Sequence, residues 1–201
     1  MDCNAVEAVR PSGTRSKPMI LSVFRRRKPT GTIDALYGVI VAQARLPTFY
    51  RDYGIPDTRD ARFDMIVLHQ VLLARRLARD GEAGRALSQD VFDLFCRDMD
   101  ANLREMGVGD LTVPKEMQRM AEAFYGRAEA YDRALADPAD DALAAALARN
   151  VFGQAEASVQ ARRLARYARL ADRELAAAES GGFAQGRLMF PDPDTISAVE
   201  Q

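Results

Sequence analysis

The sequence is poor in the residues that usually build catalytic and metal sites. Its 201 residues include one histidine, two cysteines and no tryptophan. The cysteines, Cys3 and Cys96, form no CxxC pair, and a single histidine does not supply a zinc or haem site. We therefore expect neither a metal nor a cofactor, and two separated thiols favour a reducing compartment.

Long apolar runs and an excess of charge of one sign are absent as well. No stretch reaches the roughly 20 apolar residues that span a bilayer, and the net charge of −1 does not favour DNA as a partner. The sequence contains no nucleophile elbow, phosphate-binding loop or dinucleotide fingerprint. These absences predict a soluble, cytoplasmic protein that is not an enzyme and acts by binding.

Helical periodicity is what the sequence has in abundance. Apolar residues recur every three or four positions in six segments, and no segment alternates with a period of two. The second segment, from about Arg59 to Arg79, has so wide an apolar band that we expect it to be central. The pattern predicts an all-α fold, a single bundle of about six helices over residues 31–180.

Both ends of the chain lie outside this pattern. Residues 1–30 are predicted to be a flexible leader, within which Met19 is a candidate alternative start, and residues 181–201 are predicted to be a tail. The apolar run Met19–Phe24 precedes four cations, Arg25, Arg26, Arg27 and Lys28. Such a segment either touches an anionic membrane surface or remains a charged, disordered tail.

The third predicted helix has the clearest local signals. Ser88 is a candidate N-cap, and Leu87 and Phe92 occupy the positions of a hydrophobic staple. Its buried stripe is expected to extend from Phe92 to Met106, and Gly107 is expected to end the helix.

Two polar positions, at His69 and at Asp98 with Asp100, resemble candidate sites, but their sequence context favours a structural role. His69 lies in an apolar helical segment without a second histidine, which is typical of a structural residue. Asp98 and Asp100 are predicted to lie on one helix, where their carboxylates point about 200° apart and do not share an ion.

The last predicted helix carries four arginines, Arg162, Arg166, Arg169 and Arg173, at spacings that place them in one stripe. This stripe is either a solvated outer face or a docking surface. An acidic partner loop, a layer of lipid headgroups and RNA are the candidate partners, with RNA last because no aromatic residues accompany the arginines.

Two motifs are more specific than a bundle requires. Residues 103–110 read Leu-Arg-Glu-Met-Gly-Val-Gly-Asp, and residues 124–127 read Phe-Tyr-Gly-Arg. Phe49-Tyr50 through Gly54-Ile55-Pro56-Asp57-Thr58, and Arg62-Phe63-Asp64 leading to Leu68-His69, are supporting matches. Together these motifs resemble the ubiquinol-cytochrome c chaperone family. This family includes bacterial relatives of the mitochondrial cytochrome b assembly factor of the Cbp3 type. The resemblance extends over residues 35–180.

The resemblance implies a non-catalytic assembly chaperone for the cytochrome bc1 complex, peripheral at the inner membrane. Its implied partner is newly made cytochrome b or another bc1 subunit. Arg104, Asp110, Tyr125 and Arg127 flank a glycine turn, so we expect them to form one corner of the partner surface. Alternatively, they form an internal hydrogen-bonded network that holds the third and fourth predicted helices together. Gly126 disfavours a helix, and we expect close approach of a neighbouring backbone to explain it.

A binder of hydrophobic small molecules, such as a quinone or a lipid, is the alternative function. It would require an apolar cavity inside the bundle. The residues expected to line such a cavity are Phe92, Phe95, Met99, Met117 and Phe124.

Overall fold

The computed structural model describes residues 30–197, which contain eight α-helices and one turn of 3-10 helix. The six long helices are α1 (Thr30–Ala44), α3 (Arg59–Ala78), α4 (Gly81–Glu105), α5 (Val113–Ala136), α6 (Asp140–Val151) and α7 (Val159–Ala177). The short elements are α2 (Pro47–Arg51), α8 (Ser180–Ala184) and the 3-10 turn Pro193–Thr195. Residues 30–197 contain no strand. The predicted all-α bundle is confirmed, and its six helices correspond to the long ones.

Helix α3 is central, as its wide apolar band predicts. Every residue from Asp64 to Leu73 is buried, and the helix contacts α1, α4, α5, α6 and α7. Thr58 caps its N-terminus, where the hydroxyl accepts a hydrogen bond from the Ala61 amide at 3.2 Å. Because α3 is enclosed on several sides, its polar side chains must find partners inside the protein.

The predicted start of α4 at Ser88 is wrong. The helix begins at Gly81, and Ser88 lies within it. Gly81 adopts a φ of 67° between α3 and α4. Gly84 lies where the two helices almost touch, because a Cβ there would be 1.9 Å from the carbonyl oxygen of Leu77. Gly81 and Gly84 predict a loop because glycine disfavours a helix. In the structure Gly84 lies inside α4, where the close approach of α3 leaves no room for a side chain.

Local signals place the starts of the later helices more accurately. Pro114 lies in the first turn of α5, where its missing amide hydrogen has no helical partner to lose. Helix α7 begins at Val159, slightly later than predicted. The reason is a cap: the Ser158 hydroxyl accepts a hydrogen bond from the Ala161 amide at 3.2 Å.

The segment after α7 was predicted to be a tail from residue 181, yet it packs against the bundle as far as residue 197. Phe183 and Leu188 are buried in the core. The side-chain amide of Gln43 donates to the carbonyl oxygen of Pro191 at 2.9 Å. Contacts between residues so far apart in sequence leave no periodic signal. The predicted leader, including the cations at 25–28, lies outside the described residues except for residue 30, where α1 begins.

Candidate functional site

The loop between α4 and α5 holds the first of the predicted partner residues. Gly107 has a φ of 79°, and its amide donates to the carbonyl oxygen of Arg104 at 2.9 Å. The Val108 amide donates to the carbonyl oxygen of Leu103 at 3.1 Å. This pair of bonds is a Schellman cap. The prediction that Gly107 ends the helix is therefore confirmed.

Arg104 and Asp110 form an ion pair across this loop. One Nη of Arg104 donates to Asp110 Oδ1 at 2.6 Å, and its Nε donates to Asp100 Oδ2 at 2.7 Å. The hydrogen bond from Arg104 lowers the pKa of Asp100. The Asp110 side chain is 88% exposed. Ion pairs this exposed contribute little to stability. Because both side chains are open to solvent, both charges are accessible to a partner.

Tyr125 lies away from this loop, at the edge of an aromatic cluster. This open cluster comprises Phe63, Phe92, Phe95, Phe124 and Tyr125, with neighbouring ring centroids 4.7 to 6.1 Å apart. Tyr125 is 59% exposed, and its ring contacts that of Phe92. Phe92 and Arg104 are about 18 Å apart along α4 at the usual helical rise. Tyr125 and Arg104 therefore do not share one corner.

Arg127 belongs to a buried ion pair. Its Nε lies 2.5 Å from Oδ1 of Asp64 on α3, and the Asp64 side chain is 3% exposed. The guanidinium also lies over the Phe63 ring, 5.7 Å from its centroid. Burial raises the pKa of Asp64 to about 7, and the charge of Arg127 opposes this shift. Arg127 thus makes an internal contact, but it joins α5 to α3 and not to α4, the third predicted helix, as the alternative expected.

The four predicted corner residues consequently occupy three places: the loop, the edge of the open cluster, and the α3–α5 contact. The close approach expected at Gly126 is wrong, because a Cβ there would meet nothing within 4 Å. Gly84, which sequence reasoning assigned to a loop, is the glycine that close packing requires.

Three large apolar side chains are exposed on the α4–α5 hairpin. Met106 is 54% exposed, Leu111 is 98% exposed and Tyr125 is 59% exposed. The assignment of Met106 to a buried stripe is therefore wrong. Leu111 was missed because it lies in the loop, where no period marks it. We call Arg104, Met106, Asp110, Leu111 and Tyr125 together the hairpin surface.

Helix α7 carries the predicted arginine stripe, of which three members share a cleft. Arg166, Arg169 and Arg173 line a cavity of about 400 Å³ between α7, the start of α6 and the C-terminal segment. Arg162 is exposed and does not line it. The other lining residues are Asp140, Leu170, Thr195, Ile196 and Ser197. We call this cavity the arginine cleft.

Sequence reasoning missed Arg163, which lies outside the stripe. Its guanidinium stacks over the Tyr53 ring, 4.1 Å from the centroid. It also donates to the carbonyl oxygens of Ile196 at 3.0 Å and Asp52 at 2.8 Å. Arg163 therefore ties the C-terminal segment to the bundle, a role that local sequence does not reveal.

A wider groove of about 780 Å³ runs between α1 and α4. The Tyr37 hydroxyl donates to Asp98 Oδ2 at 2.7 Å, and burial, with a smaller contribution from Asp98, raises the pKa of Tyr37. Asp98 thus faces α1, whereas Asp100 pairs with Arg104. The two carboxylates therefore point to different neighbours, as their spacing on one helix predicts. Within residues 30–197, no three metal-ligating side chains cluster together.

His69 is fully buried, and both of its ring nitrogens have partners. Nδ1 donates to the carbonyl oxygen of Met65 at 2.7 Å, so Nε2 accepts from the Tyr167 hydroxyl at 2.8 Å. The Tyr167 oxygen in turn accepts from the amide of Gln43 at 3.0 Å. Burial lowers the pKa of His69 to about 4. This neutral, hydrogen-bonded histidine agrees with the predicted structural role.

Three of the apolar residues expected to line a quinone or lipid cavity, Phe92, Phe95 and Phe124, pack against one another. The rings of Phe92 and Phe124 have centroids 4.7 Å apart, and Phe95 lies 5.8 Å from Phe124 and 6.1 Å from Phe92. At these separations the rings are in contact. These three rings therefore contact one another and do not enclose a cavity between them.

The chain resembles proteins that share one description. The family model described as ubiquinol-cytochrome C chaperone matches residues 51–190. The ubiquinol-cytochrome-c reductase complex assembly factor 1 of Xenopus laevis is 27% identical over 119 residues, which are 59% of each protein. The Mus musculus protein of that name is 28% identical over 119 residues, 59% of this chain and 40% of the mouse protein. The chain therefore spans between about 40% and 59% of the length of these relatives.

A solved structure supports the same relationship. The crystal structure of the Cbp3 homolog from Brucella abortus superimposes with a TM-score of 0.77 at 37% identity, covering 89% of this chain and 100% of that one. Among the helices within residues 30–197, none has the length and apolar character needed to cross a membrane. The match over residues 51–190 covers most of the chain, which accordingly belongs to the ubiquinol-cytochrome C chaperone family.

Proposed function

We propose that this chain is a non-catalytic chaperone for assembly of the cytochrome bc1 complex and that it binds newly made cytochrome b. Membership of the chaperone family carries this proposal. The frog and mouse relatives, named as assembly factors of the reductase complex, support it. A chaperone needs a surface that recognises an unfinished subunit and does not need acid, base or nucleophile.

We assign client binding to the hairpin surface. The hairpin surface has three large exposed apolar side chains, Met106 and Leu111 at the loop and Tyr125 farther along α5. Exposed apolar surface of this kind marks interaction sites on soluble proteins, and tyrosine and methionine are enriched in interfaces. On this hairpin, Leu111 and Met106 lie near the exposed Arg104–Asp110 pair. A membrane subunit that has not yet assembled presents apolar helices and charged loops, which these two kinds of side chain can contact. Arg127 has a positioning role in this proposal, through its contact with Asp64.

The test compares two pairs of exposed apolar residues by affinity purification from gently solubilised membranes. The hairpin variant is Leu111→Ser with Tyr125→Ser. The matched control is Val159→Ser with Met189→Ser, two exposed apolar residues outside the hairpin. We expect the hairpin variant to recover about ten-fold less cytochrome b than the wild type, the size of effect typical of interface hot spots. The control should recover as much as the wild type.

Circular dichroism must show that both variants fold. Equal recovery with the hairpin variant and the control would overturn the assigned surface. If the wild type recovered another bc1 subunit without cytochrome b, the client would be wrong. If it recovered no bc1 subunit, the assembly role itself would be wrong.

Membrane contact through the four cations at positions 25–28 remains a second part of this proposal. Arg25, Arg26, Arg27 and Lys28 follow an apolar run, and a basic segment of this kind is attracted to anionic lipids. Such contact would bring the chaperone close to a client that is inserted into the membrane.

A further inference from the structure

The arginine cleft combines a charged wall with apolar surface. Arg166, Arg169 and Arg173 line its α7 side, and Leu170 and Ile196 provide apolar lining. Its volume of about 400 Å³ lies within the usual range for small-molecule sites. The cleft is separate from the hairpin surface, and its ligand does not depend on the function proposed above.

The charges that line the cleft do not balance. Against three guanidiniums, the described lining residues include one carboxylate, that of Asp140. Asp140 Oδ1 accepts from Arg169 Nε at 2.6 Å, and an Nη of Arg169 donates to the carbonyl oxygen of Ala139 at 2.9 Å. Arg169 and Asp140 thus neutralise each other, which leaves the charges of Arg166 and Arg173.

These two arginines have hydrogen-bond donors to spare. One Nη of Arg166 donates to the carbonyl oxygen of Ser197 at 2.7 Å, and its other donors have no partner among residues 30–197. Arg173 is exposed and makes no hydrogen bond or ion pair with a described residue. Two guanidinium groups therefore line one cavity, and most of their hydrogen-bond donors have no partner within residues 30–197.

We propose that the arginine cleft binds a phosphomonoester. A phosphomonoester carries a charge of about −1.5 to −2 at neutral pH and presents three acceptor oxygens, which matches two guanidiniums whose charges are not paired with a carboxylate. A carboxylate would leave one of the two cations unmatched. Arginine binds phosphate in a bidentate manner, and Leu170 and Ile196 can contact the carbon part of the ligand. The phosphomonoester is either a free metabolite or the headgroup of a lipid such as phosphatidic acid.

The first experiment measures binding of glycerol 3-phosphate to the full chain by calorimetry at constant ionic strength. The test variant is Arg166→Gln with Arg173→Gln. The control, Arg119→Gln with Arg133→Gln, removes the same charge from two α5 side chains that are 69% and 75% exposed. We expect saturable binding that is about ten-fold or more weaker in the test variant, as expected for lost charge-assisted hydrogen bonds. The control should bind like the wild type.

A second variant and a second readout guard against loss of folding. Arg173→Gln alone keeps the bond between Arg166 and Ser197 and should still weaken binding. Hydrogen exchange should slow at the amides of Thr195 and Ser197 when the ligand binds to the wild type, because they line the cleft. Equal affinity in the test variant and the control would overturn the proposal.

Vesicles distinguish the two sources of the phosphomonoester. Flotation with phosphatidic acid in phosphatidylcholine is compared between the same two double variants, both of which keep the cations at 25–28. Weaker flotation of the test variant than of the control supports a lipid headgroup as the ligand. Equal flotation, together with cleft-dependent binding of glycerol 3-phosphate, supports a free metabolite. If neither probe distinguishes the two variants, the cleft is not a phosphomonoester site.

Discussion

Two clusters of aromatic side chains contact α3, and they differ in how far solvent reaches them. The closed cluster comprises Phe49, Tyr53, His69, Tyr167 and Phe190, with neighbouring ring centroids 4.8 to 6.5 Å apart. The open cluster has similar ring spacings but ends in Tyr125, which is 59% exposed. Similar residue types therefore serve two different purposes in one bundle.

Hydrogen bonding explains the difference in purpose. In the closed cluster, the Tyr167 hydroxyl and both nitrogens of His69 have partners, and the Tyr53 hydroxyl donates to the carbonyl oxygen of Pro193 at 2.8 Å. The C-terminal segment completes this region. In the open cluster, no segment within residues 30–197 covers Tyr125. We infer that the closed cluster stabilises the fold and that the exposed edge of the open cluster is suited to recognition.

The largest expected effect concerns the ion pair beside the open cluster. At about pH 9, where Asp64 is ionised in the wild type, Arg127→Met should lower the free energy of unfolding by about 3 kcal/mol, because the Asp64 carboxylate would remain buried without its partner. Chemical denaturation followed by circular dichroism measures this change. A loss of this size would show that the stability of the open cluster depends on a buried ion pair, whereas the closed cluster is stabilised by hydrogen bonds.

Two controls sharpen this test. Adding Asp64→Leu to Arg127→Met should restore most of the lost stability, because no buried charge remains. Arg104→Gln, which removes the exposed pair with Asp110, should have no measurable effect on unfolding. A loss in the Arg127 variant no larger than that in the Arg104 variant would contradict the role assigned to Arg127.

A smaller effect, dependent on pH, is expected from the closed cluster. Burial lowers the pKa of His69 to about 4, whereas the unfolded chain takes up this proton near pH 6.5. The unfolded state therefore binds more protons in this interval, and stability falls as the pH falls. Between about pH 7 and pH 5, His69 should cost about 2 kcal/mol of unfolding free energy.

The comparison with His69→Gln isolates this contribution, since the chain has one histidine. The raised pKa of Asp64 acts in the opposite direction, because its folded form gains a proton below about pH 7. That contribution is present in both proteins and cancels in their difference. Equal pH dependence in the two proteins would show that His69 is not held neutral by the closed cluster.

Periodicity predicted the six long helices because the apolar face of each helix recurs within one continuous stretch of sequence. Contacts between residues far apart in sequence could not be predicted from such a local pattern. The bond from Gln43 to Pro191 carries no local signal, so the packing of the C-terminal segment was missed. The Arg127–Asp64 pair could have been suspected, since Asp64 adjoins the apolar band of α3 and a buried carboxylate needs a partner. Which arginine it meets depends on tertiary structure.

The smallest expected effect concerns Gly126, which adjoins Tyr125 on the exposed side of α5. A Cβ at this position would meet nothing within 4 Å, so Gly126→Ala should raise the free energy of unfolding by about 1 kcal/mol. Gly84→Ala is the contrasting control, because its Cβ would lie 1.9 Å from a backbone oxygen and the protein should be destabilised. Thermal or chemical denaturation distinguishes the two substitutions.

Binding by the Gly126→Ala variant separates two explanations of the glycine. Among the described residues no backbone approaches Gly126, but the backbone of a client bound beside Tyr125 can do so only while the position lacks a side chain. We therefore expect the variant to be more stable and yet to recover less cytochrome b from solubilised membranes. If stability and recovery of cytochrome b rise together, the client does not approach this side of α5. The client-binding site would then lie elsewhere on the hairpin and not beside Tyr125.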